Sequence, residues 1–331
     1  MQFKVTADED GQRLDVVLTR RAQIKRAQVT LRIAANDVFV NGSLPAKPGQ
    51  KVRHNDLIEM TIPPPPPSKA IPEDLPLRIV HEDEHLVVIH KPARMPVHPS
   101  PGHHSGTLVN ALVFRYGNLA PEIQQSDEGP RPGIVHRLDM DTTGLIVVAR
   151  TTEARDNLMK QFADRTAGRR YLAIVHGPRL EDEGTWNTLH GRHPRDRKRF
   201  SSRVREGRTA ITHWTVLARA QHVALIECRL QTGRTHQIRV HCSDHGHPIV
   251  SDAQYGGNRP IPGTIGIPFR KLEHQALHAY QLQFVHPISG ELCTFQSVPE
   301  EPMSHAIQET FGPLETLLDL EHVVAERATA G

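Results

Sequence analysis

The sequence predicts an α+β protein divided into two unequal units, and three observations predict it. At 331 residues the chain exceeds the usual single-domain size. Apolar runs bounded by Gly and Pro, which read as strands, outnumber stretches with helical periodicity and do not alternate regularly with them. Five consecutive prolines, Pro63 to Pro67, are followed by Pro72 and Pro76. Proline favours extended polyproline backbone, at about 3.1 Å per residue, and cannot donate to a β-ladder. A small unit over residues 1–67 is therefore expected to end in a stiff linker over 63–76. A larger unit follows over 77–302, with a helical or ragged tail over 303–331.

In the first unit, Gly11–Arg21 carries Leu14, Val17 and Leu18 at helical spacing, and Ile24–Ala35 carries Val29 and Ile33. Val38–Val40 reads as a strand running into the turn Asn41-Gly42, and Asp56–Ile62 alternates as a second strand. After the linker, Leu86–Ile89, Leu145–Ala149, Tyr171–Val175, Ile211–Leu217 and Val223–Leu230 read as buried strands. Between the second and third, Thr152–Ala163 has Leu158, Met159 and Phe162 at helical spacing, with Thr151 or Thr152 as N-cap and Gly168 just past the end. Two further strands, Ala276–Val285 and Leu292–Val298, flank a turn at 287–290. No internal repeat is present.

Composition narrows the function classes. The chain is 37% hydrophobic, with no uninterrupted apolar stretch of about 18 residues and no basic-then-apolar leader, so a soluble, cytoplasmic protein without membrane contact is expected. Cys228, Cys242 and Cys293 are odd in number and widely spaced, which fits free thiols in a reducing compartment. Residues 1–67 hold 10 Lys/Arg against 7 Asp/Glu, and the remainder holds 30 of each. The net charge of +3 thus belongs to the first unit, and points weakly to a polyanionic partner. Within the neutral remainder, Arg192 to Arg208 is a basic stretch that includes Arg195, Arg197, Lys198 and Arg199, a candidate arm for gripping phosphates.

The strongest local signal is the loop from Gly133 to Gly144, containing His136-Arg137-Leu138-Asp139, which leads directly into the apolar strand Leu145–Ala149. Such a loop suits an ionised carboxylate at a cleft wall. On residue type alone Asp139 is equally read as a turn or capping residue. His241, Cys242, His245 and His247 are close in sequence, but their spacing matches no common zinc site, so no metal is expected. Neither GxxxxGK[ST] nor a strand-borne GxGxxG occurs, so no nucleotide cofactor is expected.

The run His136-Arg137-Leu138-Asp139, followed by Asp141-Thr142-Thr143-Gly144, resembles the signature of the RluA family of RNA pseudouridine synthases. Arg170-Tyr171-Leu172-Ala173 resembles the family's second motif and Thr232-Gly233-Arg234-Thr235-His236-Gln237-Ile238-Arg239-Val240-His241 its third. Asn110-Ala111-Leu112, His274 to Ala279 and His286-Pro287-Ile288-Ser289-Gly290 extend the likeness over roughly residues 77 to 299. In the first unit, Arg13-Leu14-Asp15 and Val38-Phe39-Val40-Asn41-Gly42 resemble an S4 RNA-binding domain, a combination that points to the branch modifying large-subunit ribosomal RNA. Departures are Ile24-Lys25-Arg26 where Ser-Arg is usual, Asn36-Asp37 for Glu-Gly, Met140 for Lys, and Val250-Ser251-Asp252 where a Gly-Asp pair is usual.

The resemblance implies a catalytic unit built on a mixed, largely antiparallel sheet, acting as a monomer and without cofactor. It makes Asp139 the catalytic carboxylate, Arg239 the guanidinium that keeps it charged, and Tyr171 the ring against the base. Arg137, expected to alternate to the other side of the chain from Asp139, is assigned to RNA phosphate or to the space the base leaves. Ile238 is a candidate apolar floor, with a plain core role as the alternative. Arg13, Lys25 and Arg26 are candidate RNA contacts of the S4-like unit. The chemistry asks for such residues, because the target uridine must leave its stack and a carboxylate must stay ionised in a cleft. Two rival readings are a non-catalytic RNA-binding protein and a glycosidase-like nucleoside hydrolase, which would need a second carboxylate.

Overall fold

Backbone contacts divide the chain at the proline run, into Met1–Pro66 and Pro67–Gly331. The structure, a computed structural model, describes residues 1–22, 26–61, 71–100, 102–117, 119 and 132–318, except the side chains of Ala27 and Gln28. Lys25, Ile62 and the five prolines lie outside the described residues.

The first unit comprises β1 (Gln2–Lys4), α1 (Leu14–Ala22), α2 (Arg26–Ala34), β2 (Val38–Val40) and β3 (Leu57–Met60). Its strands form an antiparallel sheet in the order β1-β3-β2. Leu14, Val17 and Leu18 from α1 meet Val29 and Ile33 from α2 over Val38 and Ile58 of the sheet, which is the helical spacing read from the sequence. Two acids are buried at this unit's edge, and each is held by two arginines. Glu9 pairs with Arg20 and Arg21, both at 2.8 Å, and Asp15 pairs with Arg13 at 3.1 Å and Arg26 at 2.7 Å.

The larger unit opens with β4 (Arg78–Glu82), β5 (Leu86–Lys91), α3 (Leu108–Tyr116), β6 (Thr143–Ala149), α4 (Thr152–Asp164) and β7 (Gly168–His176). It continues with β8 (Glu183–Arg192), β9 (Phe200–Ser201), β10 (Arg208–Arg219), β11 (Val223–Leu230) and α5 (Gln237–Asp244). β12 (Leu277–Val285), β13 (Leu292–Gln296), α6 (Met303–Phe311) and α7 (Leu314–Leu317) complete it. Among the described residues the strands make one sheet in the order β4-β5-β6-β12-β7-β11-β10-β8-β9, with β13 pairing β12. All neighbours are antiparallel except β6 and β12. Every residue of β6 is buried, which is why it reads in the sequence as an unbroken apolar run rather than an alternation.

Local chemistry sets the element ends. Thr151 caps α4, its hydroxyl accepting from Ala154 N–H at 3.3 Å. At the other end Arg165, at φ 64, takes the left-handed position, and Gly168, expected as the cap, instead opens β7. The tail, expected to be helical or ragged, is as far as Leu318 two helices whose Met303, Ala306, Ile307 and Leu314 join the main core. β8 gave no sequence signal, because over its ten residues only Trp186 and His190 are buried.

Gly144 is the tightest point of the sheet. It sits at φ 109 where β6 meets β12, and a Cβ there would fall 2.3 Å from the carbonyl oxygen of Ala279. Gly144→Ala is expected to cost about 3 kcal/mol in urea unfolding, since backbone on both strands must move. Gly168→Ala, whose added carbon would meet Gln283 at an ordinary 3.5 Å, is expected to cost under about 1 kcal/mol. Equal midpoints for the two variants would refute this account.

Candidate active site

Asp139 lies on the loop that precedes β6, and three contacts fix that loop. The Nε2 of His136 accepts from Val147 N–H at 3.0 Å, and its ring lies 4.5 Å from that of Phe162. Burial presses the pKa of His136 down to about 3, so it is a neutral spacer between loop and strand. Past the carboxylate, Thr142 Oγ1 accepts from Gln275 at 3.3 Å and Thr143 Oγ1 lies 2.8 Å from His278 Nδ1. The Thr-Thr-Gly run and the His-Gln-Ala-Leu-His run noted in the sequence are thus two halves of one clasp. Beneath the loop, the fully buried Lys91 donates to the carbonyls of Pro92, Met95 and Met140 at 2.6, 3.0 and 2.8 Å.

Arg239 comes from α5, and the third motif builds the approach to that helix. Gln237 Oε1 accepts from Arg234 N–H at 2.9 Å and from Thr232 Oγ1 at 2.8 Å, while its Nε2 donates to Ile211 O and Thr212 Oγ1 on β10. This locks the first turn against the sheet and turns Arg239 inward. Its Nη1 donates to Asp139 Oδ2 at 3.1 Å. Nε and Nη2 donate to the two oxygens of Asp252 at 2.7 and 3.0 Å, and Nη2 also to Gln254 Oε1 at 3.0 Å. Burial alone would raise the pKa of Asp139. His236 where it is protonated, Arg239 through its charge and its hydrogen bond, and Arg137 outweigh it and hold the carboxyl below its ordinary 3.8. Burial also lowers the pKa of His236, so near neutrality that ring is uncharged and the arginines carry the stabilisation.

His236 stands 3.9 Å from Asp139 Oδ1 through its Nε2. Its Nδ1 lies 2.8 Å from the hydroxyl of Tyr255, which accepts from Phe200 N–H at 3.0 Å. The pattern that satisfies all three groups has Tyr255 donating to Nδ1, which leaves Nε2–H facing the carboxylate.

These groups border a cavity of about 350 Å³ whose lining includes Arg137, Asp139, Tyr171, Ile238 and Arg239. Tyr171 is buried, its hydroxyl pKa raised by desolvation first and by Asp139 among the charges. Ile238 serves both readings, since it lines the cavity and belongs to the core. Arg137 corrects an expectation: two residues apart, Arg137 and Asp139 would share a side even in extended chain, and in the loop they form, Arg137 borders the same cavity as Asp139 instead of facing away. Among the described lining residues Asp139 is the one carboxylate; Asp141 stands outside the lining and Asp252 is engaged by Arg239.

Elsewhere, Arg195, Arg197 and Lys198 are exposed, whereas Arg199 packs over the ring of Tyr255 at 5.0 Å. Arg13 and Arg26 remain about half exposed while paired with Asp15. His241, His245 and His247 have partners among protein groups, and Cys242 is buried; no group of three metal-ligating side chains converges among the described residues. No described helix is long and apolar enough to cross a membrane. Asp252, Gln254, His236 and Tyr255 were not identified as site residues from the sequence. The one available signal was the departure at Val250-Ser251-Asp252: Ser251 sits at φ 63, a conformation that favours glycine, and so marks the turn that delivers Asp252.

A model of the RNA pseudouridylate synthase family matches residues 85–244. The chain is 41% identical to the ribosomal large subunit pseudouridine synthase D of Xanthomonas campestris pv. campestris, over 88% of this chain and 87% of that one. It is 38% identical to an uncharacterized RNA pseudouridine synthase of Bacillus subtilis, over 93% and 97% of the two chains. The solved structure of human RNA pseudouridylate synthase domain containing 1 superposes with a TM-score of 0.52 at 25% identity, covering 68% of this chain and 84% of that one.

Two measurements test the geometry. A carboxyl whose folded pKa lies below its unfolded value stabilises the fold above the unfolded value, and that stability is lost as pH falls through the folded one. A carbon-13 NMR titration should therefore place the Asp139 midpoint below 3.8 in the native protein and higher in Arg239→Gln, where only His236 and Arg137 still oppose burial; a midpoint unmoved by the substitution would show that Arg239 is not a cause. Ser251→Gly should stabilise the protein by about 0.5–1 kcal/mol in urea unfolding, and an unchanged midpoint would remove the strain.

Proposed function

The chain belongs to the RNA pseudouridylate synthase family and is an RNA pseudouridine synthase; we propose that Asp139 is its catalytic carboxylate and large-subunit ribosomal RNA its substrate. The observation that carries the first assignment is the carboxylate held charged against Arg239, at 3.1 Å, in a cavity that Tyr171 also lines. The second rests on the name of the Xanthomonas relative, a ribosomal large subunit pseudouridine synthase, matched over most of both chains.

The reaction breaks the bond from base N1 to ribose C1′, turns the uracil, forms a bond from C5 to C1′, and releases the proton from C5 while N1 takes one up. It is an isomerisation, so atoms balance without an oxidant or reductant. The uridine must first be everted, at about a few kcal/mol, least in a loop or irregular region. Asp139, ionised, assists departure of the uracil by attack at C1′ or by stabilising the charge that develops there. Arg239 is a positioning residue: Asp252 and Gln254 fix its plane, and it presents one N–H to the carboxylate. Tyr171, which lines the cavity, stacks on the base, and Ile238 supplies apolar surface. Arg137 takes a phosphate or fills the stack the base has left. The exposed Arg195, Arg197 and Lys198, with Arg199 braced on Tyr255, act as the phosphate-gripping arm. The first unit is an S4-like RNA-binding module, in which Arg13 and Arg26 hold Asp15 with some of their donors and offer the rest outward.

The experiment is release of tritium from C5-labelled, unmodified large-subunit ribosomal RNA. Wild type is expected to release it, and Asp139→Asn to do so at least about a thousandfold more slowly while binding RNA normally. Equal release by the variant would remove Asp139 from the chemistry. Release from transfer RNA but not ribosomal RNA would overturn the substrate.

A further inference from the structure

Besides Arg137, three arginines outside the Asp139–Arg239–Asp252 cluster line the rim of the same cavity, and a fourth, Arg208, lies beside Arg234. Arg165, at the left-handed end of α4, and Arg169, on β7, line one side with Phe162, and Arg234 lines the other just before α5. Arg208 opens β10, and Arg234 donates from Nε to the carbonyl of the next residue, Thr209, at 3.1 Å. None of the four forms an ion pair among the described residues. Arg170 makes the contrast: one residue further along β7 it faces the other side of the sheet and pairs with Glu227 at 3.1 Å.

Two of the four are not ordinary solvated arginines. The guanidinium of Arg169 lies against the Phe162 ring, 5.3 Å from its centroid, and so close to Gly233 that a Cβ there would stand 2.8 Å from Nη1. Its Nε is buried and lacks a hydrogen-bond partner. Arg234 is half-buried, and its proton affinity is lowered by burial and then by the like charges of Arg208 and Arg165. Cations that face one another without a carboxylate, one of them braced and carrying an unmet donor, form a seat for an anion. A nucleotide whose base reaches Tyr171 brings one phosphodiester on each side of its ribose, and both must remain outside the cavity.

We propose that Arg165, Arg169, Arg208 and Arg234 form a rim clamp for the backbone phosphates next to the everted uridine, separate from the 195–199 arm. This rests on the reading of RNA as substrate. The clamp holds the backbone where the base has been drawn out, so that the strand is fixed at the point of distortion as well as at a distance.

Arg165 and Arg208 are exposed and make no side-chain hydrogen bond or ion pair among the described residues, which makes them the variants least disturbing to the fold. The full-length protein with Arg165→Gln and Arg208→Gln together is compared with wild type on an unmodified transcript of large-subunit ribosomal RNA. Binding is followed over a series of salt concentrations, and tritium release in parallel. The expected result is a KM raised about tenfold, kcat within about twofold, and a binding curve whose salt slope falls by about 0.7–0.9 for each arginine removed. The double lysine variant, which keeps the charge, should restore most of the slope. An unchanged slope in the glutamine variant, or a loss that falls on kcat with KM intact, would overturn the clamp. Absence of tritium release by wild type, with the slope change still present, would instead refute the substrate and leave the clamp standing.

Discussion

The site depends on one guanidinium shared between two carboxylates. Arg239 is 6% exposed, a setting in which an unpaired charge would be very costly. Asp252 takes it from one edge through both oxygens and Gln254 from the same side, so the plane of the side chain is set before Asp139 is considered. The remaining Nη1 is then directed at Asp139. Because that donor is already fixed, it orders the Asp139 loop at little further entropic cost, and because its charge is permanent it keeps the loop carboxylate ionised despite burial. Lys91 answers from below: its ammonium gathers three carbonyls, including that of Met140, the residue after Asp139. The loop is held from two sides, by the charge of Arg239 and by the hydrogen bonds of Lys91, whose pKa burial lowers to about 7, and by the Thr142 and Thr143 clasp at its end.

The fold was legible where burial was one-sided or complete. Leu145–Ala149 and Val223–Leu230 read as strands because their apolar runs lie inside the sheet, and Thr152–Ala163 read as a helix because its apolar stripe repeats with the helical period. β8 did not, since its residues lie largely toward solvent and its pairing with β10 is set by the backbone. α3 escaped a periodicity reading because its first five residues are all buried. In the site, motif residues close in sequence to Asp139 and Arg239 were legible. Asp252, Gln254 and Tyr255 were not, because their importance lies in reaching back to an arginine and a histidine on α5, and such contacts have no local period.

Charge was the least faithful guide. The sequence concentrates net positive charge in the first unit, yet there Arg13, Arg20, Arg21 and Arg26 close on two buried acids. Their charge is spent partly on the unit's own fold. The larger unit is neutral in total, yet its acids and bases are segregated: Arg170 pairs with Glu227 on one side of β7, while Arg169 faces the cavity without a carboxylate. A total of zero is compatible with a strongly positive cleft when pairing is uneven, and the potential that an RNA meets is the local one.

The same unevenness links binding to chemistry. Gln254, which receives Arg239, donates from Nε2 to the carbonyl of Lys198 at 2.7 Å, and Tyr255, which orients His236, accepts from Phe200 N–H. The basic segment is therefore fastened by two hydrogen bonds to the residues that aim Asp139's partners, with Arg199 lying over Tyr255 as a third contact. A segment of exposed, mutually repelling charges would by itself sample many positions. Fastened in this way, it cannot shift far without breaking bonds to Gln254 and Tyr255, so the basic segment and the orientation of the carboxylate share one frame. Under the proposed roles, such a shared frame would keep the basic segment and the carboxylate from moving relative to each other while a substrate is distorted.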